Sequence, residues 1–201
     1  LDPDWLLQTE QSEDFSGGLE RWSVYGTKGV EIAPHPDKPG RQVLRIEHQE
    51  GDFPAGAVWN IPNGRRGTVH IRFKLSPGSG RTSITLTDHF SSPFDVEAES
   101  NGLYTLSLQA DRSIHDKLSP TPDAWHDLEL AWNVEQRRCV ASLDRAPWKE
   151  LPQLRLVTEG ANYIRFRAVG ESPNAGALQI ESIAVQVELA DAALAPGDLP
   201  N

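Results

Sequence analysis

Residues Thr68 to Leu75 alternate without a break: Val69, Ile71, Phe73 and Leu75 share one parity, and Thr68, His70, Arg72 and Lys74 share the other. Side chains of an extended strand point to opposite faces in turn, so this segment buries one face and wets the other. That is the pattern of an antiparallel sheet packed on one side. A slip of one residue would expose all four apolar side chains, so the register is set. The same period recurs at 43–47, 57–61, 83–89, 103–110, 126–134, 139–143, 163–169 and 183–189, with weaker runs at 22–25 and 30–33. Between these runs fall most of the 16 Gly and 15 Pro that turns require. Ten or more strands exceed what one twisted sheet holds before it splits into two packed layers. The expected fold is therefore all-β, an antiparallel two-sheet β-sandwich of the jelly-roll kind.

In the last run the apolar parity changes, from Leu178 and Ile180 to Ile183, Val185, Val187 and Leu189. A β-bulge near Glu181 and Ser182 accounts for the change. The sandwich domain is read as residues 13–189, preceded by a lead-in segment at 1–12 and followed by an Ala-rich tail at 190–201 without strand period. With 201 residues, one core is the expectation.

A formal charge of −10 repels phosphate backbones and anionic headgroups, which argues against nucleic-acid partners. No run approaches the eighteen or so apolar residues that would span a bilayer, so membrane insertion is not expected. The single Cys139 lies in the apolar phase of its strand and reads as a core residue.

The segment Trp125-His126-Asp127-Leu128-Glu129-Leu130-Ala131-Trp132, followed by Cys139-Val140-Ala141-Ser142-Leu143-Asp144, resembles a hairpin of concanavalin A-like sandwiches of the laminin-G type. Glu13-Asp14-Phe15-Ser16-Gly17-Gly18 with Trp22, and a closing strand of Val and Ile, fit the same family. The resemblance implies that the first and last strands pair. It also implies a carbohydrate-associated role, which the superfold alone does not specify. Arg145 stands where the family has Gly after Asp144, so a longer or differently built turn is expected. With the absence of Met, the resemblance places the chain in a secreted or periplasmic setting, as a mature or excised portion of a longer precursor.

Strand parity puts His70 and Arg72, then Thr85, Thr87 and His89, then Tyr163, Arg165 and Arg167, on the sides facing away from the core. If their strands share a sheet, these residues form one basic, solvent-facing surface. An Arg fork holds a carboxylate or sulfate through two hydrogen bonds, and a Tyr ring stacks on sugar, so that surface suits an acidic glycan. The competing reading has the same residues pairing with Asp or Glu across the sheet. Trp148 follows Pro147 in what reads as a polar turn and is a candidate sugar platform or a loop anchor.

Three functions follow. The leading one is a non-catalytic, carbohydrate-associated module whose partner is a glycan or a neighbouring catalytic domain. The second is a polysaccharide lyase in which Tyr163 and His89, helped by Arg72 or Arg165, take the proton α to a uronate carboxyl. The third is a structural domain docked on a catalytic partner. A glycoside hydrolase needs two carboxylates across a cleft; the nearest runs are Asp95-Val96-Glu97-Ala98-Glu99 and Asp127-Leu128-Glu129, and in the second Asp127 and Glu129 share a face. No cofactor is expected beyond a structural calcium held by Glu13 or Asp14 with the end of the last strand. The six His residues lack zinc-ligand spacing.

Overall fold

The computed structural model describes residues 9–25, 29–48, 54–91, 99–108, 119–156, 159–169 and 177–188. Among these run thirteen strands: β1 (Glu10–Glu13), β2 (Trp22–Tyr25), β3 (Val30–Pro34), β4 (Gln42–Glu47), β5 (Ala55–Gly64), β6 (Arg66–Leu75), β7 (Arg81–Thr87), β8 (Tyr104–Leu108), β9 (Trp125–Asn133), β10 (Arg138–Leu143), β11 (Ala146–Pro152), β12 (Ala161–Val169) and β13 (Ala177–Glu188). All pairings are antiparallel, and they form two sheets. The larger has eight strands in the order β11-β10-β9-β6-β13-β4-β3, with β1 also on β13; the smaller runs β2-β5-β12-β7-β8. The sandwich expected from the alternation is observed, as is pairing of the first and last strands, with Glu13 opposite Ile183. Strand β1 begins inside the segment read as a lead-in, and the tail at 190–201 lies outside the described residues.

The apolar parity of β6 is buried, as its sequence requires: Val69, Ile71, Phe73 and Leu75 face Trp59, Ile84, Leu86, Ile164 and Phe166 in one continuous core. Each such side chain contributes roughly 1.5–3 kcal/mol on leaving water. Trp22 stacks on Trp59 with centroids 5.5 Å apart, joining the edge strand β2 to the core. Trp132 lies over Gly67, where an added Cβ would come within 2.5 Å of the ring, and its indole N–H donates to the Gly64 carbonyl at 3.0 Å. Cys139 is buried in the same core.

The bulge is where the parity places it. Ile180 pairs with Phe73 and Ser182 with Arg72, so Glu181 is the extra residue on β13. The insertion keeps Leu178, Ile180, Ile183, Val185 and Val187 all on the core side. It also holds the Glu181 side chain in a largely buried position, ion-paired with the Lys38 ammonium and 3.6 Å from Arg72 Nε. His35 completes the cluster. Its Nδ1 accepts from the backbone N–H groups of Asp37 and Lys38 at 3.0 and 3.1 Å, which leaves the ring proton on Nε2, 3.6 Å from Glu181 Oε2. Burial alone would raise the Glu181 carboxyl, but the Lys38 ammonium, through its hydrogen bond and its charge, with the His35 N–H, brings it below the ordinary glutamate range.

The turn between β10 and β11 differs from expectation. Leu143 pairs directly with Ala146, leaving a two-residue loop of Asp144 and Arg145 with φ of 50° and 69°. Two left-handed residues in a two-residue hairpin are the type I′ arrangement, so the missing Gly does not lengthen the turn. Asp144 is fastened by its carboxylate, which accepts from the Asp127 backbone N–H at 2.9 Å and from His126 Nδ1 at 2.7 Å. Partial burial pushes the Asp144 carboxyl up, and these bonds, with the charges of His126 and Arg72, hold it below its ordinary value. Arg145 has no such compensation, and the left-handed region costs a residue with Cβ roughly 1–2 kcal/mol.

Arg145→Gly is accordingly expected to stabilise the fold by about 1 kcal/mol in urea unfolding; a loss of stability would show that the side chain supports the turn. For Glu181 the folded carboxyl ionises more readily than the unfolded one, so its contribution is complete above the ordinary glutamate value of about 4.5 and is lost as pH falls below that through the lower folded value. Glu181→Gln should cost on the order of 1–3 kcal/mol at pH 7. The gap to wild type should close in denaturation series taken below about pH 4.5; a gap constant from pH 7 to pH 3 would remove the carboxylate's role.

Candidate functional site

The side chains expected on one basic surface fall on two. His70 and Arg72 lie on β6 of the eight-stranded sheet, whereas Tyr163, Arg165 and Arg167 lie on β12 of the five-stranded sheet, beside β7. The core separates the two groups, so Arg72 is not placed to assist Tyr163.

On the five-stranded sheet the register sets Tyr163 opposite Thr87, Arg165 opposite Thr85 and Arg167 opposite Ser83. Parity correctly assigns these residues to the side away from the core. That side is not solvent-facing: Arg165 is 0% exposed, Arg167 5%, and Ser83, Thr85 and Thr87 are buried with them. Part of the cover is Glu99. Its carboxylate accepts from the Ser83 hydroxyl at 2.8 Å and from Arg167 Nη1 at 3.2 Å, and it lies 3.5 Å from Arg81 Nη2. Thr105 donates to the Glu99 carbonyl at 3.0 Å, and Arg165 Nη1 donates to the Ser91 hydroxyl at 3.1 Å. The guanidiniums therefore hold the covering segment to the sheet. Alternation along a strand reports which side a residue occupies and carries nothing about what lies over that side.

At the Tyr163 end the covering gives way to an accessible rim. Phe90 is 45% exposed and meets Tyr163 edge to face, with ring centroids 6.0 Å apart at 73°. His89, half exposed, lies 2.8 Å from Asp88 Oδ1 through Nδ1, and Asp88 is also ion-paired with Arg155. Arg155 Nε donates to the Asn101 carbonyl at 3.2 Å, fixing the guanidinium across the rim. Thr87 Oγ1, beside Tyr163 in the register, lies 3.2 Å from His89 Nδ1. Tyr163 and His89 thus reach the same end of one sheet, with an aromatic pair for a sugar's C–H face and a fixed set of donors and acceptors for hydroxyls.

On the eight-stranded sheet, cross-strand pairing prevails. Arg72 sits opposite Asp127 and bonds it at 2.7 Å; His70 sits opposite Glu129, with Nδ1 3.6 Å from Oε2. Of the hydrolase candidates, Asp127 is therefore matched by a guanidinium and Glu129 lies beside an imidazole. Such exposed pairs contribute about 0–1 kcal/mol each.

Trp148 is not on a turn. It belongs to β11, an edge strand where Pro147 is tolerated, packs partly against the core, and carries the Lys149 ammonium 4.6 Å over its ring. The free ring face needed for a sugar platform is thereby occupied. Glu13 and Asp14 spend oxygens on their own turn: Glu13 Oε1 accepts from the N–H groups of Asp14 and Phe15, and Asp14 Oδ1 from Ser16. Among the described residues no group of three or more His, Cys, Asp or Glu side chains is arranged around a common metal position.

Sequence reasoning did not single out Phe90, Asp88 or Arg155: Phe90 and Arg155 lie outside the alternating runs, and Asp88 stands at an even, apolar-phase position of the 83–89 run; Glu99 was marked only as the end of a carboxylate-rich run. Glu181 was marked only by the change of parity, which located the bulge and not the ion cluster.

No family model matches the chain, and no curated protein matches it in sequence. Among solved structures, a sialidase superposes with a TM-score of 0.64 at 12% identity, over 89% of this chain and 18% of its own. A cellulose-induced protein gives 0.63 at 11% identity, over 89% of this chain and 97% of its own. A Bacteroides ovatus mixed-linkage-glucan GH16 protein in complex with a G4G4G3G product gives 0.58 at 12% identity, over 87% and 99%. The chain thus spans under a fifth of the sialidase and nearly all of the other two. These likenesses, with the two antiparallel sheets, show that the chain has a concanavalin A-like, jelly-roll β-sandwich fold.

Proposed function

We propose that the chain is a non-catalytic, carbohydrate-associated module that binds glycan at the rim of the five-stranded sheet. The observation that carries this reading is the exposed Phe90 ring set against Tyr163 beside the Asp88, His89 and Arg155 network. An aromatic edge with pre-positioned polar groups is what a sugar requires, one face apolar and its rim of hydroxyls polar. Leu154 and Leu156, both exposed, flank Arg155 in sequence. The likeness to a sialidase, a cellulose-induced protein and a mixed-linkage-glucan GH16 protein supports the same class of ligand. An extracytoplasmic setting and attachment to a catalytic domain accord with it. No helix among the described residues is long and apolar enough to cross a membrane.

The non-catalytic part rests on the disposition of the carboxylates. On the covered face, Ser83, Thr85 and Thr87 occupy β7, and Glu99 is engaged by Ser83, Arg167 and Arg81. A lyase would draw on Tyr163 and His89, which do share the rim, so release of an unsaturated uronate is the outcome that would reassign the site.

Calorimetric titration with cellohexaose, a mixed-linkage glucan tetrasaccharide and hexagalacturonate tests the proposal. Binding of at least one, weakened about fivefold in Phe90→Ala, is expected from the loss of about 1 kcal/mol of ring contact. Phe90 is exposed, so the variant should stay within about 0.5 kcal/mol of wild-type stability. No heat with any of the three at millimolar concentration, or affinity unchanged in Phe90→Ala, overturns it. Ultraviolet absorbance growing with hexagalacturonate would establish the lyase instead.

A further inference from the structure

Three side chains of the rim each spend one edge on their neighbours and keep the other unspent. Asp88 Oδ1 takes the His89 ring at 2.8 Å and the Arg155 guanidinium through Nη2. Both donors converge on that one oxygen, which is why Nη2 and His89 Nδ1 stand 3.2 Å apart. The Thr87 hydroxyl donates to the His89 carbonyl at 3.3 Å and accepts the His89 backbone N–H at 3.4 Å, so the proton on His89 Nδ1 goes to the Asp88 carboxylate. Arg155 Nε donates to the Asn101 carbonyl at 3.2 Å, which fixes the plane of the guanidinium.

Asp88 Oδ2, Arg155 Nη1 and His89 Nε2 are left without a hydrogen-bond partner among the described residues. All three groups reach water: the Asp88 and Arg155 side chains are partly exposed, and His89 is half exposed. Oδ2 accepts, Nη1 donates twice, and Nε2 accepts because Nδ1 holds the proton. Two acceptors with a pair of donors suit groups that both donate and accept. Hydroxyls do so; an ionised carboxylate only accepts. A carboxylate on Nη1 would also stand near Asp88, which holds the other terminal nitrogen of the same guanidinium, so repulsion by the anion offsets attraction by the cation. The other cations of this sheet are already engaged. Arg165 is fully buried and bonded to Ser91, and Arg167 and Arg81 both face Glu99.

We propose that Arg155 and Asp88 set the specificity of the rim, selecting an uncharged glycan with two adjacent free hydroxyls and turning away uronates. The inference rests on the reading of the rim as a glycan site and adds the class of sugar. Nη1 donates to the hydroxyl oxygens, Oδ2 and Nε2 take the hydroxyl protons, and the Phe90 and Tyr163 rings serve the C–H face. Asp88 is both the acceptor that holds a hydroxyl and the charge that rejects a carboxylate.

The test uses the full chain with cellohexaose and the mixed-linkage glucan tetrasaccharide, each beside the polyuronate made by oxidising its primary hydroxyls. Each pair shares its ring hydroxyls and differs in charge. Calorimetry should show a neutral chain binding about fivefold or more tightly than its polyuronate, with amide shifts at 87–90 and 155. Arg155→Lys keeps the charge and loses the fork, and should weaken the neutral chain about tenfold. Asp88→Asn removes the anion and keeps an acceptor oxygen, and should raise polyuronate affinity about fivefold; misfolding does not produce such a gain. Equal or tighter binding of the polyuronate at the rim, no gain in Asp88→Asn, unchanged affinity in Arg155→Lys, or no binding of either neutral chain would each overturn the selectivity. Phe90→Ala separates the two readings, since weaker glycan binding in that variant keeps the rim as the site even where the selectivity fails.

Discussion

The bulge on β13 is the constraint on which the rest of the structure depends. This strand pairs with β6 along one edge, while its other edge serves β4 over residues 177–180 and β1 over 183–186. A regular strand of that length would turn one half of its apolar side chains to solvent. The extra residue returns both halves to the core, and the carboxylate it carries is drawn inward at the junction between β4 and β1. There Glu181 meets Lys38 and His35 from the connection between β3 and β4, and Arg72 from β6. One inserted residue thus sets the parity of the longest strand and supplies the ion cluster that ties a neighbouring connection to the sheet.

The two outer faces solve the problem of polar side chains differently. On the five-stranded sheet Arg165 and Arg167 are buried, which is tolerable only because hydroxyls and a carboxylate come to them. Glu99 does this for Arg167, Arg81 and Ser83 at once, so charge-assisted bonds hold it to the sheet. On the eight-stranded sheet Arg72 and Arg45 stay partly in water and pair across strands with Asp127 and Glu31, while Lys74 is buried beside Asp37. The first arrangement buries most outer side chains of β7 and β12; the second leaves those of His70, Asp127 and Glu129 exposed to water.

This division explains which parts of the molecule were legible in the sequence. Burial of Val69, Ile71, Phe73 and Leu75, and the bulge at Glu181, follow from parity because a strand side chain has two directions available and water selects one. The same rule placed Arg165 and Arg167 on the outer side and then failed, since the cover over them comes from a segment distant in sequence with no period of its own. Whether β6 and β12 share a sheet is likewise a matter of long-range pairing, to which alternation is blind. Trp148 was read as part of a turn because Pro147 precedes it, yet an edge strand needs only half of its backbone donors, so a Pro is compatible with the β11 that forms. The Asp144-Arg145 turn shows the limit of a residue-type rule: Gly is favoured at a left-handed position, but a carboxylate fastened by two hydrogen bonds can hold the turn with Arg beside it.

The net charge of −10 argues against binding polyanions such as nucleic acid. Screening at physiological ionic strength confines each charge to about 8 Å, so a ligand would respond to the groups that line its site more than to the sum over the chain. On the open side of the eight-stranded sheet those groups are mostly carboxylates: Glu10, Glu13, Asp14, Glu20, Asp127 and Glu129 line its depressions against Arg21, Arg72 and Arg145. At the Phe90 rim the Asp88 carboxylate is matched by Arg155, with His89 beside it. The two places therefore differ in the charge they present, and an anion would be repelled more strongly from the first than from the second.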